Sequence, residues 1–270
     1  MKTSLSPEAG GTRILVVTHD VDWPKHGPGT LHILARQERF SPEVIHKVVN
    51  EGFNPYFGIP NIIEIEEKFG VRSTFFFRPK YDDNTEVNNY EKTIKSLSSG
   101  GWEVGLHCNN TSTLKDVTSE KRLLEEVVGA PVYGSRVHYL KVLESTFSNL
   151  KESGIKYDSS LSFEKKRIDI RNMGHLIKNG IVVFPVTFMD AYLFTYMGLT
   201  EETVVPFIIK TVEKMFSSGI QIMTLLWHDN SVMMKGGRTY EKLIKQLSAT
   251  SNITLLKGIE AFKLVQNSLN

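Results

Sequence analysis

A chain of 270 residues can form one α/β barrel or two ordinary domains, and its 40% hydrophobic and 23% charged residues suffice for a buried core. The formal net charge of +2 comes from scattered lysines and arginines, and the absence of a basic block argues against a nucleic-acid partner. A single cysteine, Cys108, excludes an intramolecular disulfide and a zinc site of several cysteines, so any metal must be held by histidines and carboxylates.

The sequence also bears on location and partners. No apolar run is long enough to span a bilayer, and the polar residues 1–11 lack the apolar region of a signal peptide. We therefore expect a cytoplasmic protein that has no membrane partner. A homo-oligomer is compatible with the sequence, which contains nothing that decides the oligomeric state.

Residues 1–12 are rich in Ser, Pro and Gly and are predicted to be a flexible tail. The first predicted strand covers 13–20, in an apolar run that ends in Asp20 and Asp22. These two carboxylates project to one face of the strand, and His19 faces the other side, where we expect it to pack. Neighbouring negative charges are costly without a cation between them, although an Asp-x-Asp sequence also fits a strand that runs into a polar turn.

Residues 23–60 form a long insertion after the first strand. Loops of this length inside a compact domain are often lids or substrate walls. The insertion carries three aromatic residues, Phe53, Tyr56 and Phe57. They suit either packing over a barrel or stacking on a sugar.

From residue 61 onward, short apolar segments alternate with amphipathic ones. The predicted strands are 71–77, 102–107, 132–139, 155–161, 181–188, 220–227 and 253–256. The predicted helices are 61–69, 88–98, 119–128, 142–153, 201–217, 238–249 and 258–268. Strands that are apolar on both faces are typical of a buried parallel sheet. The alternation predicts that residues 13–270 form a single (β/α) barrel of seven to eight strands, with its active site at the C-terminal ends of the strands.

Polar side chains that can bind metal or move protons occur where the apolar character of these strands stops. They are Asp20, Asp22, His107, Arg136, His138, Asp158, Asp190 and His228. The carboxyl ends of barrel strands meet at one face, so we expect these groups to converge there. For any one of the histidines alone, a structural role would be the more common interpretation.

Several of these segments resemble the motifs of the polysaccharide deacetylase family, also called the NodB-homology domain or carbohydrate esterase family four. The similar segments are Thr18-His-Asp-Val-Asp22, Glu103-Val-Gly-Leu-His107, Gly134-Ser-Arg136-Val-His-Tyr139 and Leu225-Leu-Trp-His228. Tyr157-Asp-Ser-Ser160 also matches a segment common in the family. The segments follow the family's order and span residues 13–230.

The resemblance implies a role for each matching residue. Asp20 is the expected catalytic base, Arg136 orients it, and His228 is the general acid. Asp22 and His107 are expected to bind a divalent metal ion, most often zinc in this family. The expected substrate contacts are Tyr139, Asp158 and Asp190. The backbone N–H of Tyr139 can stabilise charge on the carbonyl oxygen, and either Asp158 or Asp190 can fix His228.

One position departs from the family's pattern. The family usually places a second histidine four residues after the first, and this chain has Thr111 there. A hydroxyl is a poor zinc ligand. The metal site is therefore completed by His138, by water or from elsewhere, and in the latter cases His138 has a substrate-binding or supporting role.

These expectations predict a metal-dependent hydrolase that removes an N-acyl group, in the first place acetyl, from a small or carrier-linked amino sugar or glycan. One alternative is a hydrolase of another amide, such as a cyclic amide or ureide, on the same barrel. Another is a catalytically inactive carbohydrate-binding homologue, which the Thr111 substitution favours. A glycosidase is the least compatible, because Asp20 and Asp22 on one strand cannot flank a glycosidic bond from opposite faces.

Overall fold

The computed structural model describes residues 13–269, so the predicted tail at 1–12 lies outside the described residues. The strands are β1 (Arg13–Val21), β2 (Thr74–Phe77), β3 (Glu103–Cys108), β4 (Gly134–Val137), β5 (Tyr157–Asp158), β6 (Leu176–Lys178), β7 (Ile181–Val183), β8 (Phe188–Met189), β9 (Ile222–Leu226) and β10 (Ile253–Leu256). The α-helices are α1 (Thr30–Leu34), α2 (Pro42–Glu51), α3 (Ile59–Lys68), α4 (Glu91–Ser99), α5 (Leu114–Val128), α6 (Thr146–Glu152), α7 (Val204–Ser217), α8 (Tyr240–Ala249) and α9 (Gly258–Leu269).

The strands form one curled sheet in the order β6-β7-β5-β4-β3-β2-β1-β9-β8, and β10 pairs with β1. Neighbouring strands are parallel except β6 and β7, which form an antiparallel pair. Strands β1 and β2 are buried along almost their whole length, as a parallel sheet covered on both faces requires. The predicted α/β barrel is confirmed. The carboxyl ends of all the parallel strands lie on one side of it.

The predicted strand 181–188 is two strands in the structure. Strand β7 pairs with β5, whereas β8 pairs with β9 at the other end of the sheet. The residues between them include Pro185, which has no backbone N–H to donate to a ladder. Among residues 13–269 no ladder joins β7 to β8, so the chain itself connects the two ends of the sheet. This division and the return strand β6 explain why ten strands are found where seven to eight were predicted.

Within the insertion 23–60, the helices α1 and α2 pack around a small apolar cluster of their own. Its buried members are Ile33, Phe40, Val48 and Tyr56, and Phe53 is partly buried against them. The insertion also touches the loop that follows β9, since the backbone N–H of Lys235 donates to the carbonyl oxygen of Arg39 at 2.7 Å. A Cβ atom at Gly58 would lie 2.1 Å from the carbonyl oxygen of Asp229, so only glycine permits this approach. The aromatic residues Tyr56 and Phe53 are therefore used for packing.

A buried carboxylate, Glu66 of α3, supports the back of β1. It accepts hydrogen bonds from Ser73 Oγ at 2.8 Å, Trp102 Nε1 at 2.6 Å and Tyr240 OH at 2.6 Å, and its Oε1 lies 2.9 Å from His19 Nε2. The other ring nitrogen of His19, Nδ1, lies 2.6 Å from the carbonyl oxygen of Trp227 and must donate to it. His19 thus packs behind the strand, as expected, and ties β1 to the residue before His228.

We expect Glu66→Ala to lower the free energy of unfolding by about 3–5 kcal/mol, because it leaves several buried donors without an acceptor. Burial acts to raise the pKa of Glu66, but the hydrogen bond and charge of His19 and the other donors hold it below its ordinary value. The resulting stability is present above the unfolded pKa of about 4.3 and is lost as the pH falls through the lower folded value. Urea unfolding at neutral and acidic pH measures both effects.

The neighbouring carboxylate Glu67 provides the control. Its side chain is 55% exposed and lies 3.8 Å from Arg72. Glu67→Ala should change stability by only about 0.5 kcal/mol or less. Equal effects of the two substitutions would contradict the role given to Glu66.

None of the helices within residues 13–269 combines the length and the apolar character needed to cross a lipid bilayer.

Candidate active site

The carboxyl ends of the strands bring together most of the residues predicted from the sequence. Asp20 and Asp22 lie at the end of β1, His107 at the end of β3, and Arg136 and His138 at the end of β4. The register of β3 and β4 places His107 opposite Arg136. Asp190 directly follows β8, and His228 lies two residues after β9. The contacts below join these groups into one cluster.

Three of these side chains offer ligand atoms to a common point. Asp22 Oδ1 lies 3.2 Å from His107 Nε2 and 3.4 Å from His138 Nδ1. The two imidazole nitrogens are 3.1 Å apart. All three ligand atoms lie within 4.8 Å of one another. A carboxylate oxygen and two imidazole nitrogens in this arrangement are a donor set suited to a divalent cation such as zinc.

The tautomer of His107 fits metal binding. Its Nδ1 lies 3.0 Å from the carbonyl oxygen of Arg136, which can only accept a hydrogen bond. Nδ1 therefore carries the proton, and the lone pair of Nε2 faces Asp22 and His138. Burial acts to raise the pKa of Asp22, but the facing imidazoles of His107 and His138 and the charge of His228 hold it well below its ordinary value. Asp22 is thus an ionised carboxylate.

Asp20 lies between this triad and a buried guanidinium. Arg136 Nη1 donates to Asp20 Oδ1 at 2.8 Å and to Thr18 Oγ1 at 2.9 Å. The other guanidinium nitrogens, Nε and Nη2, donate to the carbonyl oxygen and the hydroxyl of Ser159 at 2.8 and 2.7 Å. The second oxygen of Asp20, Oδ2, lies 3.8 Å from His107 Nε2. Arg136 therefore fixes one oxygen of Asp20 and leaves the other beside the triad.

His228 lies beside Asp22 and is held by Asp190. Its Nδ1 is 2.6 Å from Asp190 Oδ1, and its backbone N–H donates to Asp190 Oδ2 at 2.9 Å. The Ser231 hydroxyl donates to the same oxygen. Burial acts to lower the pKa of His228, but the charge and hydrogen bond of Asp190, with Asp22 and Asp20, raise it to about 10. His228 is thus an imidazolium whose Nε2 lies 3.7 Å from Asp22 Oδ2.

The structure does not bring Asp158 into the cluster. Its side chain is fully buried. It accepts hydrogen bonds from Ser135 Oγ and from the hydroxyl and backbone N–H of Ser160, each at 2.8 Å. Burial raises its pKa, although these hydrogen bonds oppose the shift. Of the two carboxylates proposed as partners of His228, Asp190 holds that position and Asp158 links β4 to β5.

Tyr139 is 82% exposed, and its ring packs against the ring of His138 with centroids 3.9 Å apart. Tyr139 and Leu140 have φ values of 57° and 54°, which side-chain-bearing residues rarely adopt. A tight turn therefore follows β4 directly after His138. Strain of this kind persists where the surrounding structure enforces it, often beside functional groups.

Thr111 is buried, and its polar groups form hydrogen bonds with residues outside the cluster. Its hydroxyl lies 2.7 Å from the hydroxyl of Thr146 on α6, and its carbonyl oxygen accepts from Asn149 Nδ2 at 2.9 Å. These contacts account for its side chain without a ligand role. His138, with Asp22 and His107, belongs to the group of side chains that could hold a metal ion.

A cavity of about 390 Å³ opens beside the cluster, within the size range of small-molecule sites. Asp22, Asp190 and His228 line one part of it. The other lining residues include Phe194, Met234, Asn230, Ser231, Arg39 and Lys235. Sequence reasoning missed Ser231, although its place three residues after His228 was a usable signal. It also missed Arg39 and Lys235, which no motif marks.

Comparison with known proteins gives similarity in structure only. No family model and no curated protein matches the chain. A Mycobacterium smegmatis structure assigned to the polysaccharide deacetylases is 19% identical, with a TM-score of 0.71 over 98% of this chain and 94% of that one. The PuuE allantoinase is 12% identical, with a TM-score of 0.67 over 96% and 93%. A carbohydrate esterase family four pseudoenzyme from Bacillus anthracis is 12% identical, with a TM-score of 0.55 over 96% and 70%.

At these identities the similarities show a shared fold. The chain is an α/β protein with the barrel of the polysaccharide deacetylases, and the resemblance predicted from its motifs is confirmed at that level. Nearly the whole chain and nearly the whole of the Mycobacterium smegmatis structure take part in the match.

Proposed function

We propose that this protein is a metal-dependent hydrolase, with zinc as the preferred metal, that removes an N-acyl group from an amino sugar or glycan. The observation that carries the proposal is the Asp22, His107 and His138 triad, with Asp20 beside His107 and His228 beside Asp22. The five residues come from four separate strand ends, and no structural purpose explains why two imidazoles should face one carboxylate.

The first role is that of a base. When bound, a divalent cation at the triad supplies Lewis acidity and lowers the pKa of water beside it. Asp20 Oδ2 lies next to this point and can accept the proton of the attacking water. Arg136 donates to Oδ1 and keeps Asp20 oriented. The attack on an amide carbonyl then proceeds with the base already in place.

The second role is that of an acid. An amine leaves only if its nitrogen receives a proton as the carbon–nitrogen bond breaks. His228 carries a proton on Nε2, because Nδ1 is held by Asp190 and the pKa is raised to about 10. Its Nε2 lies 3.7 Å from Asp22 Oδ2, where it can reach a leaving nitrogen beside the triad. The two groups thus divide proton acceptance and proton donation.

A substrate panel tests this proposal. Acetate release from N-acetylated chito-oligosaccharides, an N-acetylhexosamine 1-phosphate and an N-acetylhexosaminuronic acid, and ring opening of a cyclic ureide, would be followed with the zinc-loaded protein, and Asp20→Asn would serve as the inactive control. We expect acetate release that depends on metal and on Asp20. Ring opening alone would support the second amide hydrolase, which the allantoinase similarity brings into consideration. No turnover in either arm would contradict the proposal and favour an inactive binding protein.

Removing the carboxylate of Asp190 should alter the pH dependence of hydrolysis. A raised pKa means that the acid form of His228 is present below that value and is lost as the pH rises through it. In Asp190→Asn the chief raising influence is absent, so the alkaline limb of kcat should move to lower pH by more than about one unit. The measurement is a pH profile of kcat, with the exposed Asp83→Asn as control. Identical profiles would contradict the role of Asp190.

A further inference from the structure

The cavity beside the cluster has opposite charges on its walls. Asp22, of the candidate metal site, and Asp190, the partner of His228, line the cavity, and so do Arg39 and Lys235. Arg39 comes from the insertion 23–60, and Lys235 from the loop after β9. The backbone hydrogen bond between them, 2.7 Å from Lys235 N to Arg39 O, joins the two segments at this wall.

The charges of these two cations are weakly compensated within the chain. The nearest carboxylate to Arg39 is Glu38, at 3.9 Å between side chains that are 52% and 71% exposed. Among residues 13–269, Lys235 makes no ion pair. By contrast, Arg238 of the same loop, which does not line the cavity, donates to Glu201 at 3.0 Å. The loop thus pairs the cation outside the cavity and leaves the cavity's own cations available to a ligand.

We infer that the substrate carries an anionic group, a phosphate or a carboxylate, which Arg39 and Lys235 bind while its acyl group lies at Asp22. This inference rests on the proposed function and narrows its substrate class to acidic or phosphorylated N-acyl amino sugars. Two cations suit such an oxyanion, since their hydrogen bonds to it are charge-assisted. Phe194 and Met234 supply apolar wall for the sugar skeleton.

Binding of deacylated sugars tests the inference without hydrolysis. Titration calorimetry of the full, metal-loaded chain would compare a hexosamine 1-phosphate, a hexosaminuronic acid and a neutral hexosamine. We expect at least one anionic sugar to bind about tenfold more tightly than the neutral one, and added salt to reduce the difference. Preference for the phosphate identifies a phosphorylated substrate, and preference for the uronic acid identifies a carboxylate. Equal binding of all three would overturn the inference.

Variants assign the preference to the two residues. Arg39→Gln and Lys235→Gln should each remove most of it, whereas Lys92→Gln, an exposed change on α4, should not. An anionic preference that survives in the Arg39→Gln, Lys235→Gln double variant would overturn the assignment. Hydrolysis of the acylated sugars is measured separately. In the unmodified protein, equal binding of anionic and neutral sugars with acetate release intact refutes only the anion subsite, and a clear anionic preference without any acyl hydrolysis refutes only the proposed reaction.

Discussion

Asp20→Asn is expected to reduce the rate of amide hydrolysis by about 10²–10⁴-fold while the metal stays bound. Asparagine has nearly the shape of aspartate, and its carbonyl oxygen can still accept from Arg136 Nη1, now 2.8 Å from Asp20 Oδ1. What it cannot do is accept the proton of the attacking water. Steady-state kinetics with matched metal content measures the loss.

Two controls isolate this effect. The metal content of the Asp20→Asn protein should equal that of the unmodified protein, because Asp20 contributes none of the three ligand atoms of the triad. Thr111→Ala should leave the rate within a few-fold, since its hydroxyl bonds to Thr146. Undiminished hydrolysis by Asp20→Asn would make Asp20 a structural carboxylate that merely pairs with Arg136.

Removal of an imidazole from the triad should cause the second large loss, that of bound metal. His107→Ala leaves a carboxylate and one histidine, and two protein ligands rarely hold zinc, so bound metal and hydrolysis should both be lost. His138→Ala should weaken metal binding by at least about tenfold, whereas Thr111→Ala should barely change it. Competition titrations against a chelator give the dissociation constants. Tight binding by His138→Ala would move His138 to the substrate pocket, with water completing the metal site.

Much of the cluster could be predicted from the sequence, because the position where each apolar strand ends is visible there. Apolar runs that stop at Asp20, His107 or His228 indicate the carboxyl ends of parallel strands, and in a barrel these ends lie together on one face. Thr111 stands where a second histidine ligand is usual, and His138 lies at the end of the neighbouring strand. Because these strand ends meet at one edge, His138 could be proposed as the replacement ligand. Chain order and strand alternation were sufficient for these residues.

Other features depend on contacts between distant segments, which sequence patterns do not report. Asp158 ends β5 and Asp190 follows β8, and only the fold buries Asp158 among serines while it places Asp190 against His228. The division of 181–188 into β7 and β8 depends on which neighbours the sheet offers, so local β propensity could not predict it. Arg39 reaches the cavity through the packing of the insertion, for which no motif exists.

The metal content of the purified chain tests the central claim most directly. The protein should be prepared without chelator and without metal-affinity chromatography, and elemental analysis should be compared with His107→Ala and with the exposed His46→Ala. The account predicts about one divalent ion per chain in the unmodified protein and in His46→Ala, and none in His107→Ala. A chain that binds no divalent ion, or a His107→Ala protein with undiminished metal, would contradict it.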